Sequence, residues 1–165
     1  MSHHRHRIVA AALLVCCSLL EPPARGDAQT RHPVVIVVSS VTGGGDISLS
    51  KLRAAFESQP TDYRGMRLIP FNLPLGNSAR TLMDRVVLGI APDRVGAFWI
   101  DQRIRSGTSA PRSVNSAEMV LRVTASMRGV IGYVEMDPKA LPTGIQALSI
   151  DGKRPGDPGY PLDGR

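Results

Sequence analysis

Residues 33–38 (PVVIVV) are an unbroken run of β-branched side chains behind one proline. Such side chains favour an extended backbone, and a strand without polar alternation is covered on both faces. The run therefore predicts a central strand, read as parallel to its neighbours. Strand-like and helix-like patterns alternate downstream, so the expected class is α/β, a mixed sheet flanked by helices.

Residues 39–46 (SSVTGGGD) form a glycine-rich connection, with neither a Gly-Lys-Ser/Thr ending nor a GxGxxG spacing to make it a nucleotide loop. Ser48 can cap a helix bearing Leu49, Leu52 and Phe56. Residues 59–65 (QPTDYRG) read as a turn and 67–73 (RLIPFNL) as a second strand. A Gly-Asn-Ser turn follows, then an amphipathic helix starting at Ala79-Arg80, with Leu82, Met83, Val86 and Val87 on its buried side and Gly89 as its stop.

Pro92 suits the first turn of the next helix, whose core side is given by Val95, Phe98 and Trp99, and residues 107–111 (GTSAP) break it. Asn115 and Glu118 have capping-box spacing for a helix with Met119, Val120, Val123 and Met127. Residues 130–136 (VIGYVEM) and 145–150 (IQALSI) predict two more strands, and the proline- and glycine-rich residues 151–165 predict a flexible tail.

Upstream of the first strand, a basic start with His3, His4, Arg5, His6 and Arg7 precedes an apolar run over residues 8–20. This has the proportions of a secretory signal over 1–26, and its core is short for a bilayer span. Cleavage is expected after Gly26, with Ala28 as the alternative, and residues 27–32 form a polar leader. Cys16 and Cys17 lie inside the signal, where a lipid anchor would want a small residue before the modified cysteine; Val15 precedes Cys16. The mature chain of 139 residues is enough for one domain, residues 33–150, in the periplasm or secreted. The signal carries three arginines and one glutamate, so its removal lowers the formal charge from +6 to +4.

Without cysteine, and with His32 as the only histidine after cleavage, the mature chain has no material for thiol chemistry, a Ser-His-Asp triad or a histidine metal cluster. Asp62, Asp84, Asp93, Asp101, Glu118, Glu135 and Asp137 read as caps or surface charges, since none lies in a stretch apolar enough to raise its pKa. The chain is therefore read as a non-enzyme with no cofactor and no metal. Arg103, Arg105 and Arg112 cluster, yet the aromatics that nucleic acid would stack on fall at core spacings. Arg103 and Arg105 suit an anion or an acidic partner, or plain solvation. Neither nucleic acid binding nor membrane insertion of the mature chain is expected.

The order SLSKLRAAF, QPTDYRG, NLPLGNSAR, FWIDQRI and RGVIGYV resembles the type 2 periplasmic binding proteins, specifically the phosphate-type substrate-binding components of ABC transporters. The likeness runs over residues 33–150. Leu52 and Phe56 match the first helix of the family, Thr61 and Tyr63 its Thr-x-Trp turn with tyrosine for tryptophan, Phe98 and Trp99 its aromatic-Trp pair, and Gly129, Ile131, Gly132, Tyr133 and Val134 its Gly-x-Ile-Gly-Tyr-Val strand. The resemblance implies a single three-layer lobe of such a protein. Family members close two lobes on the ligand, and this chain matches from the strand that crosses into the second.

In the family a Gly-Ser-Gly-Thr turn at a helix N-terminus holds phosphate. Gly76, Asn77, Ser78 and Ala79 occupy that turn here, with Arg80 after it; Ala79 replaces the threonine, and Asn72 and Leu73 stand near where an arginine is common. Micromolar binding needs about 8 kcal/mol. A helix N-terminus offers about 0.3–1 kcal/mol and each charge-assisted hydrogen bond about 1.5–3 kcal/mol. Two or three such contacts on an open lobe predict millimolar affinity once association entropy is subtracted. Two functions follow as expectations: weak binding of phosphate or a related oxyanion, with a second subunit or envelope protein completing the cleft, or an interaction module without a small ligand.

Overall fold

The computed structural model describes residues 32–164. The expected signal and the leader up to residue 31 lie outside the described residues. Strand β1 (Val34–Ser39) is buried at all six positions. Its neighbours are β7 (Val130–Glu135) and β8 (Ile145–Ile150), both antiparallel to it. The strand is central, as its composition requires, and the expectation of parallel pairing is corrected. Coverage of both faces dictates the apolar run; the direction of the neighbours leaves no mark on it.

Strand β2 (Gly45–Ile47) forms one edge beside β8, and β5 (Ile69–Asn72) and β6 (Arg112–Ser113) complete the far side, giving the order β2-β8-β1-β7-β5-β6. The β2–β8, β7–β5 and β5–β6 pairs are parallel, so the sheet is mixed. The expected turn over 59–65 contains half of a small hairpin, β3 (Asp62–Tyr63) with β4 (Met66–Arg67), whose tip residues Arg64 and Gly65 have φ of 51° and 75°. Positive φ at both central positions is what a two-residue hairpin turn of type I′ demands.

Helix α1 (Leu49–Phe56) starts where Ser48 Oγ accepts from the Lys51 amide at 3.2 Å. It buries Leu52 and Phe56, and the Phe56 ring lies 5.6 Å from that of Tyr133. Helix α4 (Ala117–Ser126) is capped by Ser116, one residue beyond the predicted Asn115, with its Oγ accepting from the Met119 amide. Glu118 pairs with Arg122 at 2.6 Å in place of closing a capping box, and Met127 falls outside the helix, 46% exposed. The helix lies against β7 at Gly132, where an added Cβ would stand 2.5 Å from Val120 Cγ1.

Two expectations about burial are corrected. Helix α3 (Val95–Ser106), preceded by a 3-10 turn over Pro92–Arg94, buries only Val95; Phe98 and Trp99 are half-buried, edge to face at 5.0 Å, and Ile100 and Ile104 are 64% and 79% exposed. The segment after residue 150, expected to be loose, is tied into the core. Tyr160 and Leu162 are buried, the Leu162 carbonyl accepts from the Val34 amide at 2.8 Å, and Tyr160 Oη donates to the Val34 carbonyl at 3.0 Å. Proline and glycine rule out a regular element there, yet two large side chains still bring that backbone back onto β1. No helix of the described residues is long and apolar enough to cross a membrane.

Candidate functional site

Strand β5 ends at Asn72, and the chain turns through residues 73–77 into helix α2 (Ser78–Met83), which continues as one π-helical turn over Asp84–Leu88. Gly76, at φ 86°, takes the left-handed conformation that other residues adopt with difficulty. Asn77 is the N-cap: its Oδ1 accepts from the Arg80 amide at 3.2 Å, and its own amide donates to the Pro74 carbonyl. Ser78 is exposed and its Oγ donates to Glu135 Oε2 at 2.6 Å, across from the end of β7. Ala79 is buried, its methyl filling the core beneath the turn.

Arg80 has a different environment from the one its place in the turn implies. Only 3% exposed, it directs Nε to Asp84 Oδ1 and Oδ2 at 2.8 and 2.7 Å and Nη1 to the Leu73 carbonyl at 3.1 Å. Beside it, Tyr133 Oη accepts from the Leu73 amide and donates to Asn72 Oδ1, each at 3.2 Å. The guanidinium thus braces the loop from below. Asp84, read from sequence as a cap or surface charge, is buried in this pair; burial pushes its pKa up, against the pull of Arg80. Burial likewise pushes the Tyr133 hydroxyl far above the usual tyrosine range. Asp84 and Tyr133 therefore serve the turn by hydrogen bonding.

Along one face of the helix that follows the turn lies a cleft of about 280 Å³ lined by Ser78, Thr81, Arg85 and Glu135, with His32 and Leu82 also in its lining; of the turn residues 76–80, Ser78 alone reaches it. The structure brings the Ser78 hydroxyl into one cleft with the cation Arg85 and the acceptor Glu135. Of these, Thr81, Arg85 and Glu135 were absent from the set read off the sequence. The helical spacing of Ser78, Thr81 and Arg85, three and four residues apart, puts them on one face and was the signal available. Glu135 comes from a strand more than fifty residues on, and no local pattern points to it.

No protein-family model matches the sequence, and no curated protein matches it. Solved structures do match. An ABC-type phosphate transport receptor from Vibrio cholerae superposes with a TM-score of 0.61 at 12% identity, over 81% of this chain and 54% of that one. This chain has their fold. A putative phosphate ABC transporter substrate-binding protein from Clostridium perfringens, solved with bound phosphate, gives 0.59 at 11% identity, over 76% and 48%. PstS from Borrelia burgdorferi gives 0.57 at 12% identity, over 76% and 50%. The present chain thus spans about half the length of the structures it matches, and at these identities the likeness carries the fold of a phosphate-type substrate-binding protein.

Proposed function

We propose that this chain is an exported solute-binding lobe, periplasmic or secreted and without catalysis, that takes up phosphate or a related oxyanion weakly at the turn formed by Gly76, Asn77, Ser78, Ala79 and Arg80. The observation that carries the reading is the cleft along one face of the helix that follows this turn, whose lining includes the Ser78 hydroxyl at the capped start and the cation Arg85 two turns on. Support comes also from the shared fold, since one matched structure is described with phosphate bound. Arg80 holds the turn in shape, and the ligand contacts fall to the helix-start amides, Ser78 and Arg85. Glu135 sets a condition on the ligand: its carboxylate holds the Ser78 hydroxyl and repels a bare dianion. An oxyanion that still carries a proton can donate it to Glu135 and share Ser78, so hydrogen phosphate is favoured over sulfate.

Calorimetric titration with phosphate, sulfate and acetate tests this. The expected result is saturable phosphate binding with a millimolar dissociation constant, weakened about tenfold by Arg85→Ala, since one charge-assisted hydrogen bond contributes about 1.5–3 kcal/mol. Glu135→Gln should admit sulfate. Absence of heat at ~10 mM phosphate, with an unchanged melting temperature, removes the reading.

A second reading, an interaction module without a small ligand, is favoured by helix α3, which carries Ile100 and Ile104 outward with a single buried residue. Of Tyr63, Trp99 and Tyr133, the aromatics that such a surface could use, Tyr63 and Tyr133 are buried, which leaves the half-buried Trp99. Sedimentation at several concentrations, and capture of envelope proteins by wild type against Ile104→Asp, separates the two readings; a strict monomer with no Ile104-dependent partner discards this one.

A further inference from the structure

Away from the Ser78 turn, a second groove of about 330 Å³ runs between the C-terminal end of α1 and the β5–β6 edge of the sheet. Its floor exists because β6 pairs with β5 only at Phe71 and Asn72, which leaves Ile69 and Pro70 uncovered; Ile69 is 42% exposed. Pro111 supplies one wall and Ala55 the other. The walls are fastened to each other: Ser58 Oγ donates to the Ser109 carbonyl at 2.8 Å, and Arg103 Nη1 donates to Ser109 Oγ at 2.7 Å. The groove is therefore preformed, at the lower end of the size range of small-molecule sites.

Its charge is one-sided. Arg67 and Arg112 line it and no carboxylate does. Among the described residues, neither guanidinium has an ion pair within 4.0 Å or donates a hydrogen bond. Asp62, which faces Arg67 in the β3–β4 register, makes no ion pair with it. This resolves the arginine cluster of the sequence into three fates. Arg105 is spent on Asp101, Arg103 on the wall of the groove, and Arg112 is left facing the groove with Arg67.

Arg112 stands opposite Phe71 in the β5–β6 register, and Phe71 lies four residues beyond Arg67, so at about 3.3 Å per extended residue the level of Arg112 along β5 is up to about 13 Å from Arg67. Between them lies apolar surface from Ile69, Pro70 and Pro111. We propose that this groove binds an extended organic dicarboxylate: an apolar middle lying on Ile69 and Pro70, and a carboxylate at each end taken by Arg67 and Arg112. A guanidinium can hold a carboxylate in a two-pronged contact, and an apolar floor selects against small inorganic anions that keep their water.

The test uses the whole chain, labelled with nitrogen-15, titrated with suberate, octanoate and 1,8-octanediol, which share an eight-carbon body and carry two, one and no carboxylates. Suberate is expected to give saturable amide shifts at Ile69, Phe71, Ala110 and Arg112. Octanoate should bind about tenfold more weakly and the diol without saturation, because each lost charged contact is worth about a factor of ten. Arg67→Ala and Arg112→Ala should each reduce suberate to the octanoate level; both residues are exposed, and unchanged melting curves will certify the fold. Shifts centred on residues 76–85, binding that survives both substitutions, equal affinity for the diol, or no saturable shift at ~10 mM suberate would overturn the proposal. Phosphate binding at Ser78 is read from separate amides, so either site can fail without the other.

Discussion

Arg80 pairs with Asp84 inside the domain, and removing one member of a buried ion pair leaves the other uncompensated. Arg80→Met should cost about 3–5 kcal/mol of stability at pH 7. Its pH dependence has a definite sign. Asp84 already has its pKa raised above 3.8 by burial, and loss of Arg80 removes an influence that lowers it. A carboxyl with a raised folded-state pKa contributes stability that is full below the unfolded value and is lost as pH rises through the folded one. The deficit of Arg80→Met against wild type should therefore shrink from pH 7 towards pH 4 in urea unfolding; a deficit that stays constant over that range contradicts the assignment. Gly132→Ala places a methyl 2.5 Å from Val120 Cγ1 and should cost about 1–3 kcal/mol by overpacking α4 against β7, readable as a lowered urea midpoint. At this scale the sequence was half legible. Asn77 could be read as part of a helix start because caps are local chemistry, whereas arginine is so commonly outside that nothing in the sequence marked Arg80 as a buried brace.

Elements declared themselves by pattern, and their surroundings did not. Strand β8 falls at its predicted bounds, and α1 at its predicted cap, because period and capping are written in adjacent residues. Helix α3 shows the limit: Phe98 and Trp99 looked like a core face, but how much of a helix is covered depends on what packs over it. Ile104→Asp on that helix should change stability by no more than about 0.5 kcal/mol, as for an exposed site, while a large loss would mean that α3 is packed more deeply. The C-terminal segment is the opposite case. Tyr160→Ala should cost about 3–5 kcal/mol, because it empties a buried position and removes the hydrogen bond to the Val34 carbonyl; thermal unfolding would report it.

For the whole molecule, the layered α/β class and the binding-protein fold could be recognised from the order of motifs, and the strand directions could not. Residues that lie far apart in sequence decide what the cleft can hold. Ser78 and Arg85 come from one helical run, while Glu135 arrives from β7 and, in the proposed reading, would make the site selective for a ligand that brings its own proton. A lobe with this few contacts is expected to bind weakly, and a further subunit or envelope protein that closes over Ser78 would raise its affinity. The most direct measurement is the calorimetric titration of wild type and Arg85→Ala with phosphate and sulfate near neutral pH. The account predicts millimolar phosphate binding by the wild type, about tenfold weaker binding by Arg85→Ala and no sulfate binding by either. Phosphate and sulfate bound equally well, phosphate binding indifferent to Arg85, or no heat with either anion would contradict it.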